Sequence, residues 1–320
     1  MKVALIVLAV IVGLLLLLEV GLRLFIGFGN PLIYLPDKQI GYLLSPNQRT
    51  RRFGNRIEIN QYSMRNPAIT ATRPDSTLRI LLIGDSIANG GWWTDQKDIL
   101  SELLMRQLQP AIVNTAFSQV EVLNASANSW CPRNELAYLH RFGTFDSQAV
   151  VLLINTDDLF GTAPTSVPVG RDINYPKSKP PLALIEAFSR YILPAPSVPE
   201  MAVVNAEPGD RVGFNLEAIQ NIQTLTQQAN AQFLLAMTPL VREVGEPGCR
   251  DYEVKARQRL LDLTQTQQIP YIDFLPLFQQ NPSPEALFRD NIHLSSQGDE
   301  LVSTTIRRSL EKLLSLPSNS

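Results

Sequence analysis

Short apolar runs alternate along most of the chain with segments whose apolar residues recur every three or four positions. The first kind reads as buried strand and the second as amphipathic helix. Leu78-Arg79-Ile80-Leu81-Leu82-Ile83 predicts a strand over 78–83 that turns at Gly84. The spacing then predicts a helix over 95–109, a strand over 120–124 and a helix over 133–142. Residues 149–154 are continuously apolar, as suits a parallel strand covered on both faces. Helix 215–230, strand 232–237, helix 252–267, strand 271–274 and a closing helix 295–314 follow. This alternation predicts an α/β fold with a doubly wound, mostly parallel five-stranded sheet flanked by helices.

Three stretches break the rhythm. Residues 3–18 are an unbroken apolar run, and the apolar character continues to Phe28 apart from Glu19 and Arg23. Those two charges lie four apart and can pair on one helix face. Counted from Val3 to Phe28, a helix rising about 1.5 Å per residue is long enough to span a ~30 Å hydrocarbon core. No small-residue cleavage site follows the Leu-rich run, so residues 1–28 are expected to be an uncleaved transmembrane anchor rather than a signal peptide. Lys2 favours an N-terminus inside, whereas Arg23, Lys38, Arg49, Arg51, Arg52 and Arg56 after the span argue the other way. A tail this short before a first helix favours export, which places the rest of the chain outside the cytoplasm. Residues 29–77 read as a Pro-punctuated connector and a lead-in strand, and 78–315 as the main domain. Within that domain, 159–211 holds nine prolines and only 182–193 looks helical. This long irregular insertion leaves from the C-terminal end of the third strand, where it reads either as a flap over a site or as a surface excursion. Its helix carries the apolar stripe Leu184, Ile185, Phe188, Tyr191 and Ile192, which could cover the site or touch a bilayer.

Composition narrows the function. Net charge is −2, with no basic surplus to suggest nucleic acid. Phosphate loops, repeats and metal-ligand clusters are missing from the sequence, so no metal or organic cofactor is expected. Gly84-Asp85-Ser86 follows directly on the first strand, where open α/β sheets place their ligands. Asp290-Asn291-Ile292-His293 lies near the end of the chain and offers a carboxylate and an imidazole three residues apart. Serine attack needs a base, and the base needs a partner to fix its tautomer. The chain has two histidines. His140 lies within a helical run, while His293 lies in a short polar segment beside Asp290. The expected catalytic set is therefore Ser86, His293 and Asp290.

Gly84-Asp85-Ser86 at the end of a strand, with Asp290-x-x-His293-Leu294 before the last helix, resembles the GDSL/SGNH hydrolase family. The resemblance covers residues 56 to 315. It includes Ile57-Glu58-Ile59-Asn60-Gln61-Tyr62-Ser63-Met64-Arg65, similar to the lead-in strand of envelope members. It implies a flavodoxin-like three-layer sandwich and an acyl-enzyme mechanism. It also implies an oxyanion hole built from the Ser86 N–H, a loop after the second strand and an asparagine after the third. The loop position falls on Ser129, or on Asn128 if the register shifts by one. The asparagine position falls on Asp157 within Asn155-Thr156-Asp157-Asp158, and an ionised carboxylate there would repel an oxyanion. Either Asp157 is held protonated, or Asn155 or Asn128 takes over, or the chain is inactive. Cys131 and Cys249 both fall on the rim that carries Ser86; they could pair as one disulfide or remain two thiols. The expected function is hydrolysis of carboxylic esters, with acetyl esters of envelope polysaccharide as substrate class by analogy. An O-acyltransferase and a lipid esterase or thioesterase are the alternatives on the same fold. A non-catalytic carbohydrate-binding or scaffold protein is the alternative of another class.

Overall fold

The computed structural model describes residues 1–317. Helix α1 (Lys2–Gly21) runs on through a π-helical turn over Leu22–Ile26 and stops at Gly27, whose φ of 85° is left-handed. It is the one helix among the described residues long and apolar enough to cross a membrane, with a mean hydropathy of 3.1 over its most apolar window. Two antiparallel hairpins follow. The first pairs β1 (Tyr34–Asp37) with β2 (Gly41–Leu44), and the second pairs β3 (Gln48–Arg52) with β4 (Asn55–Ile59).

The β/α alternation begins with β5 (Thr77–Gly84), α2 (Ser86–Asn89) and α3 (Leu100–Leu108). Next come β6 (Gln119–Ser126), α4 (Pro132–Phe142) and β7 (Ala149–Asn155). The insertion holds α5 (Ala183–Tyr191) and α6 (Glu200–Asn205). The chain returns through α7 (Arg211–Gln228), β8 (Gln232–Thr238), α8 (Val241–Val244), α9 (Asp251–Thr266) and β9 (Tyr271–Asp273). It closes with α10 (Phe274–Gln279) and α11 (Ser296–Leu313).

The five strands of the main sheet are all parallel, in the order β6-β5-β7-β8-β9. Order reverses beside β5, and a crevice opens there at the strands' carboxyl ends. Side chains alternate across the sheet with the strand period of two. Leu81, Ile83, Val150 and Leu152 point to one face, where Tyr138, Ile219, Ile222 and Leu260 cover them. Ile80, Leu82, Val151 and Leu153 point to the other, against Leu104, Phe274, Val302 and Ile306. Both faces are dry, which is why β5 and β7 read as unbroken apolar runs.

Two expectations need correction. The stretch 57–65 is strand only as far as Ile59, and its end meets the main sheet where the Arg65 N–H donates to Asn124 O of β6 at 2.9 Å. Strand β4 stops at Ile59, and Asn60 Oδ1 accepts the N–H groups of Tyr62 and Met64 at 2.9 and 3.1 Å, turning the chain back. The helix expected over 95–109 is broken. A 3₁₀ turn covers Gln96–Asp98, Ile99 is extended and buried, and the α-helix starts at Leu100. The connector and the insertion also pack on each other. Tyr34 N–H donates to Pro176 O at 2.9 Å, and Tyr34, Tyr42 and Tyr175 form a cluster with ring centroids 5.0–5.9 Å apart.

Candidate active site

Ser86 owes its position to the turn after β5. A Cβ on Gly84 would come within 2.4 Å of Leu153 O on the neighbouring strand, so only glycine allows the strand pair to close at this point. Asp85 then caps α2, its Oδ1 accepting the Ile87 N–H at 2.8 Å. Ser86 opens the helix, where a backbone N–H has no intrahelical acceptor. The residue is nearly buried, at 8% exposure.

The segment before α11 is folded around Asp290. Its Oδ1 accepts the N–H groups of Ile292 and His293 at 3.0 and 2.8 Å, which locks the imidazole beside its own carboxylate. His293 Nδ1 lies 3.0 and 2.8 Å from the two Asp290 oxygens, and Nε2 lies 2.9 Å from Ser86 Oγ. Partial burial raises the Asp290 carboxyl, but the two N–H groups and the imidazole outweigh it and hold the carboxyl below its usual range. Trp93 packs against the imidazole with centroids 4.4 Å apart and the rings tilted by 57°. His140 is exposed on α4. The arrangement can move a proton from a serine hydroxyl to an imidazole whose tautomer is fixed by a carboxylate.

Opposite the imidazole, β6 ends in the turn carrying Asn128 and Ser129. Ser129 takes φ 58°, the left-handed conformation that glycine adopts freely. Tyr42 Oη donates to Asn128 O at 2.6 Å and Tyr175 Oη donates to Ser129 Oγ at 2.8 Å, so the connector and the insertion both buttress this turn. Asn128 faces the same cavity as Ser86, and its Oδ1 has no hydrogen-bond partner within the protein. Asn155 is differently engaged. Its Nδ2 donates to Asp85 Oδ2 at 2.9 Å and to Asp158 Oδ2 at 3.0 Å, which spends both of its N–H donors. Asp157 lies on the rim of the same cavity, exposed. Partial burial raises its carboxyl; Arg242 pulls it back and Glu253 and Glu243 push it further up.

Sequence reasoning missed a group of buried carboxyls near Ser86. Asp85 is 2% exposed and burial raises it to about 6 against the N–H of Ile87 and the imidazole. Burial, then Asp85 and Glu135, raise Asp158 well above the usual carboxylate range. Glu135 is fully buried on α4, raised likewise by burial and then by Asp85, and neither of its oxygens has a partner within the protein. In the sequence it looks like one more charge on a helix with a wet face. Also missed was Arg65. Its buried guanidinium donates to the carbonyls of Asn89, Gly91 and Thr94 and so fixes the loop that carries Trp92 and Trp93. Burial lowers Arg65 to about 9.

The site opens into a cavity of about 1260 Å³ lined by the hairpins, the β6 turn and the insertion. Aromatic side chains of Phe28, Tyr34, Trp92, Trp93, Tyr175 and Tyr191 form much of its wall. Cys131 and Cys249 are both free thiols, each with its own partner. The Cys131 thiol donates to Asn134 Oδ1 at 3.2 Å, and the Cys249 thiol to Glu243 Oε1 at 3.3 Å. Burial pushes the two thiols up to about 12 and about 11. Among the described residues, no group of three or more His, Cys, Asp or Glu side chains is arranged to hold a metal ion.

A serine at a parallel-strand end, with an imidazole on its hydroxyl, is the arrangement an α/β ester hydrolase needs. The model of the GDSL-like Lipase/Acylhydrolase family matches residues 82–301, a span that contains both Ser86 and His293, and the chain belongs to that family. It is accordingly an ester hydrolase. Solved structures are similar in fold. LAE5, an alpha/beta hydrolase enzyme from the metagenome of Lake Arreo, Spain, is 12% identical with a TM-score of 0.50, over 78% of this chain and 98% of that one. The lipase/acylhydrolase from Enterococcus faecalis is 15% identical with a TM-score of 0.46, over 76% of this chain and 98% of its own. Axe2, an acetylxylan esterase from Geobacillus stearothermophilus, is 12% identical with a TM-score of 0.47, over 76% and 96%. Comparison with curated proteins finds no match.

Proposed function

We propose that the chain is a membrane-anchored serine esterase that removes acyl groups, in the first place acetyl groups, from polysaccharide of the cell envelope. The reading rests on one observation above the rest: His293 Nε2 stands 2.9 Å from Ser86 Oγ while Nδ1 rests on Asp290. Ser86 Oγ attacks the ester carbon as its proton passes to His293 Nε2. Asp290 holds the tautomer and stabilises the imidazolium. His293 returns the proton to the departing alkoxide, leaving the acyl group on Ser86. Water then gives a proton to Nε2 and bonds to the acyl carbon; Ser86 recovers its proton and the carboxylic acid leaves. The negative oxygen of each tetrahedral state is met by the Ser86 N–H and the Asn128-Ser129 turn. The Asn128 side chain is the third donor, because Asn155 is already committed to two carboxyls.

A second reading has a specific observation in its favour. The aromatic-walled cavity of about 1260 Å³ is far larger than an acetyl group needs and has room for an acceptor hydroxyl in place of water. On this reading the acyl-enzyme is the same and the chain is an O-acyltransferase. The test of both is covalent. Purified protein should react with a fluorophosphonate probe, and Ser86→Ala should not. Acetate release from an acetylated polysaccharide, with and without a free oligosaccharide acceptor, then separates hydrolysis from transfer. An unlabelled wild-type protein would leave only the non-catalytic reading.

A further inference from the structure

Helix α5 is built inside out. In a surface helix of a globular domain the apolar stripe faces the core and the charges face water. In α5 the charges face inward. Glu186 and Arg52 are ion-paired with side chains only 5% and 8% exposed, and Arg190 joins them at 2.9 Å. Glu186 also accepts the Gly29 N–H at 2.7 Å. The apolar side faces out. Leu182, Ile185, Phe188 and Ile192 are 44%, 45%, 53% and 68% exposed, at spacings of three and four. Tyr191 and Leu193 extend the patch.

The patch has a fixed place relative to α1. Both oxygens of Glu19 accept backbone N–H groups at the start of α5, from Ala183 and Leu184, at 2.9 Å each. Arg23 pairs with the same carboxylate at 2.6 Å and donates to Pro181 O at 3.1 Å. Glu19 lies 17 residues beyond Lys2, the first residue of α1, or about 26 Å along the axis at ~1.5 Å per residue. A hydrocarbon core is ~30 Å thick. The start of α5 is therefore pinned at the depth where a spanning helix leaves the hydrocarbon. Leu24 and Phe25, 63% and 78% exposed in the turn after α1, lie about one and a half turns further out.

We propose that α5 lies in the headgroup region of the bilayer with its outward face on lipid, a claim that rests on the reading of α1 as a membrane span. Lipid is the occupant because the patch continues the lipid-facing surface of the span, and an aqueous partner would have to enter the membrane boundary to cover it. One consequence concerns access. Tyr191, at the edge of the patch, and its neighbours Phe28 and Arg190 line the same cavity as Ser86 and His293. The bilayer thus seats the domain with one end of its cleft at the membrane surface.

The test uses the full chain in nanodiscs of phosphatidylcholine and phosphatidylglycerol. Cys249→Ser removes the accessible thiol, and buried Cys131 is kept. A nitroxide is attached in turn to Val10→Cys, Phe188→Cys and His140→Cys, and collision with oxygen and with a water-soluble nickel complex is measured. Ile185→Cys replaces Phe188→Cys should that variant not fold. The oxygen-to-nickel ratio at position 188 should exceed that at 140 several-fold and fall below that at 10. Position 188 as open to nickel as 140, with position 10 in lipid, overturns the docking alone. Position 10 open to nickel overturns the span reading itself. A label at 188 shielded from both reagents, as contact with a second copy would make it, also overturns the proposal.

Discussion

Glu135→Met should make the protein more stable. Glu135 is fully buried on α4, and neither carboxyl oxygen has a hydrogen-bond partner within the protein. A buried polar group left in that state costs about 1–3 kcal/mol even when neutral. Methionine is of nearly the same length, brings no strong polar group, and adapts to the space left. A gain of about 1–3 kcal/mol is expected, which raises Tm by about 2–4 °C for each kcal/mol in a domain of this size. The pH dependence has a definite sign. Burial, then Asp85, raises the Glu135 carboxyl above its ordinary 4.5 in the folded state. The native state thus holds this proton more tightly than the unfolded chain does. The wild type is best off below pH 4.5 and loses stability as pH rises through the folded value. The variant escapes that loss, so its advantage should widen from pH 4.5 upward. Thermal unfolding of the detergent-solubilised full chain at pH 4.5, 6 and 8 measures this, with p-nitrophenyl acetate hydrolysis as control. Glu135 touches no reacting atom, so activity should stay within a few-fold. A variant less stable than wild type at every pH would refute the reasoning, because it would mean that the carboxyl is paired and contributes to folding.

Ser86→Ala and His293→Ala should each abolish nearly all p-nitrophenyl acetate hydrolysis and the double variant should be little worse, since groups acting as one unit lose activity non-additively; His140→Ala should keep most of it, and the reverse pattern would sink the assignment. Tyr42→Phe removes the hydroxyl that holds Asn128 O; with one hydrogen bond worth about 0.5–1.5 kcal/mol, kcat should fall about 2- to 13-fold with KM little changed. Asp157→Asn removes a negative charge from the cavity rim and should raise activity at neutral pH, by at most the ~10²–10³ that one oxyanion donor carries; an unchanged pH profile would put Asp157 out of reach of the reacting oxygen. Deleting residues 1–29 should move the protein from the membrane pellet to the soluble fraction, and a reporter fused after Ser320 of the full chain should be active only outside the cytoplasm.

The main sheet was legible because its signal is local. An unbroken apolar run such as 149–154 reports burial on both faces whatever packs there, and β7 covers it with one residue added. Ser86 and the Asp290–His293 pair stand out for the same reason, each in a short motif beside a recognisable element. What stayed hidden depends on contacts distant in sequence. Glu135 follows Arg133 and Asn134 and reads as solvated, yet it is fully buried, near enough to Asp85 for the two carboxyls to repel. The stripe on α5 was visible, but not that its charged side would turn inward to meet Arg52, which lies 134 residues earlier. The strand expected over 57–65 stops at Ile59 for a local reason, since the Asn60 side chain competes for the backbone and turns it.

The connector and the insertion, two of the stretches that break the β/α rhythm, belong together on the proposed oxyanion side. The sheet alone supplies Ser86 and the turn after β6, but that turn is short and left-handed at Ser129, a conformation disfavoured for a serine. Tyr42 from the connector and Tyr175 from the insertion hold it by backbone carbonyl and hydroxyl, and both tyrosines are packed against Tyr34. The connector is continuous with α1, and the insertion is tied to α1 through Glu19 and α5. A displacement of α1 or α5 would therefore reach the proposed oxyanion turn through Tyr34, Tyr42 and Tyr175, while β5 and Ser86 stay fixed in the buried sheet. On this reasoning, lifting the domain off the membrane should change turnover more than it changes labelling of Ser86 by a fluorophosphonate. The oxyanion turn must be in place at every step of turnover, whereas a reactive phosphonate needs chiefly the serine and its base.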